Sequence, residues 1–397
     1  MHRLAPFLAV IVLLEVIVGF GVWRCCRRRP LWKWYLGVHL PWWSGLAAVV
    51  VIPWTQWPAP LNYAWLGLGW LLLLTKLLLG VVALIGWGWQ LSSRRSNSDR
   101  PPDLARRRFL ARSADVALAL PLTTGAGAAL ITPHMLKVRK HTFNFSSLPA
   151  AFDGLRMVQI SDLHLGTFSS EAPVRRLVAA VQAQQPDVVF FTGDLVNYRA
   201  QEAEPFLPLL KKIQAPLGVY AVLGNHDYGA YYPWPNPQAR RRNFRRLLQL
   251  FPEMGWRLLR NEHVLLQKDG ARIAVVGLEN WNRYGRLQKA DYARATRHLP
   301  PDIFRIVLAH DPHYFEDHLW KKKRADLTLS GHTHGFQMGI EIGKWRWSPA
   351  QYMYRFWADA YQWPGQTLYV SRGAGMVGLP FRIGIWPEIT VFELQRC

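Results

Sequence analysis

Five short clusters of acidic, amide and imidazole residues recur between residues 161 and 335 of this 397-residue chain. Asp162 and His164 stand in Ser161-Asp162-Leu163-His164, Asp194 and Asn197 in Gly193-Asp194-Leu195-Val196-Asn197, and Asn225, His226 and Asp227 in Gly224-Asn225-His226-Asp227. Further on come His310-Asp311-Pro312 and Gly331-His332-Thr333-His334-Gly335. Carboxylate, imidazole and one amide oxygen form a donor set of intermediate hardness, suited to Mn, Fe or Zn and unlike the thiolates of a structural zinc site. Two such ions about 3.5–4 Å apart can share a bridging carboxylate and a hydroxide that attacks phosphorus while the metals neutralise the phosphoryl oxygens. The expected chemistry is phosphoester hydrolysis. Any one cluster alone would be an ordinary loop or turn; five in this order are a functional set.

Each cluster follows a strand-like run. Residues 157–160 and 188–192 read as buried strands and 174–184 as an amphipathic helix, so the chain from about Lys137 onward has the alternation of an α/β layered domain with ligands at strand ends. The Asp-x-His and His-x-His spacings would put two ligands on one side of an extended strand, because side chains alternate with period two. The neighbouring glycines let backbone come close to the site.

In this order the clusters resemble the calcineurin-like metallophosphoesterase family, whose motifs run DxH, GDxxN, GNHD, a separate His, and GHTH. The resemblance spans roughly residues 150 to 397. With apolar helices in front it resembles the membrane-attached branch, as do Ser371-Arg372-Gly373, Leu379-Pro380-Phe381-Arg382 and Pro387-Glu388-Ile389 near the end. It implies a four-layer α/β/β/α sandwich holding two divalent ions. Asp162, His164 and His334 would hold one, Asn225, His310 and His332 the other, and Asp194 would bridge. His226 would stand beside the phosphate as transition-state stabiliser or leaving-group acid, oriented by Asp227, with Asn197 supporting its loop. The residue chemistry agrees, since a leaving alkoxide needs a proton and histidine titrates nearest neutrality. One departure is Phe336, where this branch often has glycine in GHTHGGQ. His263, His313 and His318 match no ligand motif and read as surface or core.

Two insertions mix aromatics with cations. After Asp227 come Tyr231 and Trp234, leading to Arg240, Arg241, Arg242, Arg245 and Arg246; after Gln337 come Lys344-Trp345-Arg346-Trp347, Tyr352, Tyr354 and Arg355. Such segments suit a lipid–water interface, stacking on nucleic acid, or packing on their own domain. Tyr231, Trp234, Arg241 and Phe336 are the expected substrate contacts.

Ahead of this domain, residues 7–23, 36–53, 62–90 and 113–132 are apolar runs near or above the roughly 20 residues that cross a bilayer. The expected organisation is a membrane domain of about four transmembrane helices over 1–135 and a phosphoesterase domain over 136–397. Glu15 and Lys76, at similar depth in the first and third runs, are an expected intramembrane pair. Lys and Arg cluster at 24–33 and 94–112 and are missing from 55–62, so the positive-inside rule places everything after about Pro133 outside the cytoplasm. Arg106-Arg107-Arg108-Phe109-Leu110 also resembles a twin-arginine export signal. The expected location is a bacterial-type inner membrane. The three cysteines, Cys25, Cys26 and Cys397, exclude a disulfide framework.

The net charge of +22 favours anionic partners without choosing among them. Attachment beside a bilayer favours an amphiphilic, phospholipid-like phosphate substrate over nucleic acid. The family resemblance also implies a UDP-2,3-diacylglucosamine pyrophosphatase of lipid A biosynthesis, whose cytoplasmic substrate conflicts with the topology. A metal-binding membrane receptor or scaffold without turnover is the alternative of another class, and an extracellular nuclease a third.

Overall fold

The computed structural model of the chain describes residues 40, 43, 44, 59–95, 104–132 and 135–397, apart from 284, 286, 323, 324 and 344. The run at 7–23, nearly all of that at 36–53, and Glu15, Cys25 and Cys26 lie outside the described residues. The chain divides into two compact units, Met1–Leu130 and Ile131–Cys397.

In the first unit, α1 (Ala59–Arg95) and α2 (Leu104–Ile131) lie side by side in opposite directions. Gly125 faces Leu71 so closely that any side chain there would overlap it, and Arg106 donates to the Gly86 carbonyl at 3.2 Å. Among the described residues only α1 is long and apolar enough to cross a membrane, through Gly67–Trp89. At 1.5 Å per residue its 23 residues span about 35 Å, enough for a hydrocarbon core. The run at 113–132, expected as a further span, lies in α2 as far as Ile131 and is not confirmed as a crossing.

The second unit is built on two six-stranded mixed sheets. One runs β1 (Lys137–Asn144), β14 (Glu388–Gln395), β2 (Leu155–Ile160), β3 (Val188–Phe191), β4 (Val219–Ala221) and β5 (Arg257–Leu258). The other runs β12 (Asp359–Trp363), β13 (Gln366–Val370), β9 (Leu327–Ser330), β8 (Arg305–Leu308), β7 (Ala271–Gly277) and β6 (Glu262–Lys268). A separate hairpin pairs β10 (Ile340–Ile342) with β11 (Trp345–Trp347). Strands β2 to β5 are mutually parallel, as are β7, β8, β9 and β13. Among them, Val188–Phe191 of β3 and Ile273–Gly277 of β7 are continuous apolar runs, buried throughout.

Met157, Phe190, Phe392, Ile273, Ile306 and Leu327 interlock where the sheets meet. The outer face of the first sheet is covered by α3 (Ala172–Gln182), through Val174, Leu177 and Val181, and by α4 (Pro237–Glu253), through Leu247, Leu250 and Phe251. Tyr314, Phe315 and Leu319 cover the outer face of the second. The buried Gln159 amide links the sheets, donating to Thr192 Oγ1 at 2.8 Å and to the Ser330 carbonyl at 2.9 Å. The loops after β2, β3, β4, β8 and β9 all leave the carboxyl ends of parallel strands, where α/β proteins place their sites.

Candidate metal centre

Those five loops bring the sequence clusters together in two groups. Asp162, His164 and His334 offer ligand atoms within 4.8 Å of one another, and so do Asp194, His310 and His332. His164 Nε2 lies 3.0 Å from His334 Nε2, which is 3.3 Å from Asp162 Oδ1. In the second group His310 Nε2 lies 3.2 Å from Asp194 Oδ2, 3.3 Å from His332 Nδ1 and 3.1 Å from Asn225 Oδ1. Asp194 Oδ2 is also 3.5 Å from His164 Nε2, so one carboxylate oxygen stands between the groups.

The backbone that achieves this is not extended. Asp162 (φ 53°), His164 (44°), Asp194 (59°), His332 (72°) and His334 (50°) are all left-handed, as is Phe336 (51°). The expectation of two ligands along one side of an extended strand is therefore corrected: β2 and β9 end at Ile160 and Ser330, before the first ligand. Left-handed backbone costs a non-glycine residue about 1–3 kcal/mol, so surrounding bonds must impose it. Asp162 accepts from Ser161 Oγ at 2.5 Å and from the His332 amide at 3.0 Å, and Asp194 Oδ1 accepts from the His226 amide at 2.9 Å. Two glycines allow the approach: a side chain on Gly224 would overlap the Asp194 carboxylate, and one on Gly331 would overlap Ser161 and Asp162.

The electrostatics favour positive charge between the groups. Burial alone would raise the carboxyls, yet His334 beside Asp162, and His310 and His226 beside Asp194, hold both well below the usual range. Burial pushes His164, His332 and His334 down, keeping them as neutral ligands. Burial also opposes charge on His310, but the Asp194 carboxylate overrides it and raises that imidazole to about 10.

The donor set fits a divalent ion. With His310 Nδ1 donating to the Thr192 carbonyl at 2.7 Å, a cation that displaced the Nε2 proton facing Asp194 would meet that nitrogen's lone pair. His332 Nε2 faces the Tyr354 hydroxyl at 3.1 Å and Asp311 Oδ2 at 3.5 Å, which leaves Nδ1 to the centre. Lone pairs of two imidazoles, a carboxylate and the Asn225 amide oxygen then converge, an arrangement that a cation satisfies.

Sequence reasoning placed His226 beside this centre, and its ring meets His164 edge-on with centroids 4.9 Å apart. It assigned the wrong orienting group. Nδ1 of His226 lies 2.8 Å from the Asn197 carbonyl, while the Asp227 carboxylate is turned away and accepts from the amides of Asp194, Leu195, Val196 and Gly224. Asp227 clamps two ligand loops together and is a positioning residue. Burial and the Asp194 charge raise its carboxyl to about 7.

Of the expected substrate contacts, Tyr231 is at the centre: its hydroxyl accepts from Asn225 Nδ2 at 2.9 Å and its ring packs on His226 at 4.5 Å. Phe336 leads out of the His334 turn and faces Tyr354 at 6.3 Å. Trp234 is spent within its own loop, donating to the Gly229 carbonyl at 2.7 Å and packing on Tyr232. Arg241 is exposed on α4, with no contact to either group among the described residues. Sequence reasoning missed three neighbours. Tyr354 and Asp311 flank His332, and the buried Arg382 places Nη2 3.1 Å from His334 Nδ1 while donating to the Gly373 and Gly375 carbonyls. His313, read as surface or core, is buried beside Asp311 and stacks on Tyr354 at 4.6 Å.

A family model described as Calcineurin-like phosphoesterase matches residues 155–336. The chain is 32% identical over 301 residues to the uncharacterized metallophosphoesterase YkuE of Bacillus subtilis, which covers 74% of this chain and 98% of that protein. It is 27% identical over 263 residues to the UDP-2,3-diacylglucosamine pyrophosphatase LpxG of Chlamydia muridarum, covering 56% of this chain and 76% of that one. To a transmembrane protein with metallophosphoesterase domain of Danio rerio it is 29% identical over 260 residues, 63% of this chain and 55% of that one.

Proposed function

The chain belongs to the calcineurin-like phosphoesterases, metal-dependent hydrolases of phosphoric esters, and on that premise we propose that it cleaves a phosphodiester or pyrophosphate bond of an amphiphilic, phospholipid-like substrate at a two-metal centre. The observation that supports this most directly is the Asp194 carboxylate oxygen standing 3.5 Å from His164 and 3.2 Å from His310, which joins the two ligand groups. In this reading Asp162, His164 and His334 would hold one ion, Asn225, His310 and His332 the other, and Asp194 would contribute to both. Bound there, the ions, Mn, Fe or Zn, would supply Lewis-acid neutralisation of phosphoryl oxygens and a water acidic enough to attack at neutral pH.

The chain's own residues do the rest. His226, with Nδ1 committed to Asn197, keeps Nε2 for a proton going to the leaving oxygen. Tyr231 covers one side of that ring and fixes the Asn225 amide so that its oxygen points to His310. Asp227 locks the loops after β3 and β4 in register, and Asp311 and Tyr354 hold the His332 ring.

The membrane half supports an amphiphilic substrate. The span in α1 carries exposed Leu77, Val81, Leu84 and Trp87, side chains costly in water and suited to lipid. The charge asymmetry of the loops favours a multi-pass anchor in a bacterial-type inner membrane, and the hydrolase unit lies outside the cytoplasm provided that the run at 113–132 crosses as well. A second reading, hydrolysis of a lipid-linked nucleotide pyrophosphate, is favoured by the similarity to the chlamydial pyrophosphatase.

The test is hydrolysis by the full-length protein, with added Mn, of a membrane lipid extract, UDP-2,3-diacylglucosamine and single-stranded DNA side by side. Release of phosphate-bearing products from lipid alone supports the proposal. Asp194→Asn is expected to abolish turnover of a chromogenic phosphodiester and to lower bound metal while leaving the protein folded. Full turnover by that variant would refute the two-metal reading, and metal binding without hydrolysis of anything would favour a receptor or scaffold.

A further inference from the structure

We infer that the β10–β11 hairpin docks on the lipid bilayer, with Ile340, Ile342 and Trp345 entering the head-group region. Ile340 pairs with Trp347, Glu341 with Arg346 and Ile342 with Trp345. Because side chains alternate, one face of this hairpin is wholly apolar and the other carries Glu341 and Arg346.

In a water-exposed hairpin the apolar face would turn inward. Here the polarity is reversed. Glu341 accepts from Arg139 Nη2 at 2.6 Å and pairs with Arg372 Nη2 at 2.5 Å, and Arg346 pairs with Asp359 at 2.8 Å while its guanidinium covers the Trp357 and Tyr361 rings. The apolar face is left open: Ile340 is 47% exposed, Ile342 68% and Trp345 57%. The reversal is firmly held. Arg372 is itself buried and paired with the buried Glu388 at 3.1 Å, so rolling the hairpin over would strand charges inside the unit.

Three observations identify the occupant as lipid. The hairpin is bonded through Glu341 to Arg139 of β1, the first strand after the helical unit, and β1 begins at Lys137, six residues beyond the end of α2 at Ile131. In the membrane-anchored reading proposed above, whose candidate span is Gly67–Trp89, the unit bearing this strand is tethered to a bilayer. Exposed Lys137 and Lys140 on β1 supply the charge that anionic head groups attract. Exposed Tyr352 and Met353, just beyond the hairpin, continue an aromatic and apolar rim of the kind found at membrane interfaces. The same segment reaches the metal centre, since Ser348 Oγ donates to the Gly335 carbonyl at 2.7 Å and Tyr354 contacts His332. Docking would thus set the centre beside a lipid substrate, a consequence that rests on the proposed function.

The test uses the full chain, with Cys25, Cys26 and Cys397 replaced by serine, in phosphatidylcholine–phosphatidylglycerol vesicles. An environment-sensitive fluorophore on Ile342→Cys should shift to the blue and be quenched by spin-labelled acyl chains, while the same probe on Asp302→Cys, an exposed site, should report water. A probe at position 342 that reports water overturns the inference. Shielding without lipid quenching also overturns it and points to a protein partner or second copy. This readout needs no hydrolysis, so it stands apart from the catalytic proposal. As a second measurement, Ile342→Glu with Trp345→Glu, which leaves the ion pairs intact, should slow hydrolysis of vesicle-borne substrate at least tenfold and leave a soluble phosphodiester unaffected. Equal loss on both substrates would place these residues in catalysis and sink the docking role.

Discussion

His226 gives its Nδ1 proton to the carbonyl of Asn197, 2.8 Å away on the loop after β3, and not to Asp227, its neighbour in sequence. The bond fixes the tautomer and aims Nε2 away from the protein backbone. His226→Gln should therefore lower kcat about 10²- to 10⁴-fold for a diester with an alkyl leaving group. A nitrophenyl leaving group needs no proton, so its hydrolysis should suffer far less. Equal losses on the two esters would rule out proton delivery by His226.

Asp227 makes four backbone hydrogen bonds at the centre of two ligand loops. In Asp227→Asn the amide NH2 must face amide N–H groups, leaving buried donors unsatisfied at a cost of about 1–3 kcal/mol each. The expected result is a lower unfolding midpoint together with weaker metal binding at both groups. Wild-type stability with a loss confined to kcat would instead restore a direct catalytic role.

His332 is held from behind by Asp311 and Tyr354. Outer partners of this kind typically change metal affinity 10- to 100-fold. Asp311→Asn should weaken binding of one of two ions by about that factor, measured by calorimetric titration against a competing chelator. Tyr354→Phe should act in the same direction and less strongly. Weakening of both ions equally would contradict the assignment of His332 to one group.

Burial alone would raise the carboxyl of Glu388, but Arg372 and then Arg139 hold it below its usual 4.5. A depressed carboxyl contributes stability that is fully present above the unfolded value and is lost as pH falls through the folded one. Unfolding midpoints should decline as pH drops from about 5 toward 3. Glu388→Gln should flatten that acid limb and, by leaving buried Arg372 with weaker partners, cost about 3 kcal/mol at neutral pH. An acid limb of unchanged steepness would show that other carboxylates govern it.

The donors of the centre were legible in the sequence because metal chemistry demands their types, and each follows an apolar run that can only be a buried strand. Their backbone was not. Nothing in Asp162-Leu163-His164 announces left-handed torsions, which are imposed by bonds from Ser161, His332 and the loop after β3. Asp227 illustrates a second limit, since residues adjacent in sequence point to different neighbours once the chain turns. Tyr354 and Arg382 reach His332 and His334 from 22 and 48 residues away, across an irregular insertion that no periodicity describes. The α/β alternation followed from strand and helix periods. A helix that mixes leucine with alanine, glycine, threonine and an aspartate is harder to classify by apolar content, as α2 shows.

The outward apolar face of the β10–β11 hairpin also governs handling of the protein. Solubilised without lipid or surfactant, a hydrolase unit bearing Ile342 and Trp345 on a rigid ribbon would self-associate and adhere to hydrophobic resins. Its colloidal behaviour, and the apparent turnover read from aggregated enzyme, would then depend on the detergent chosen.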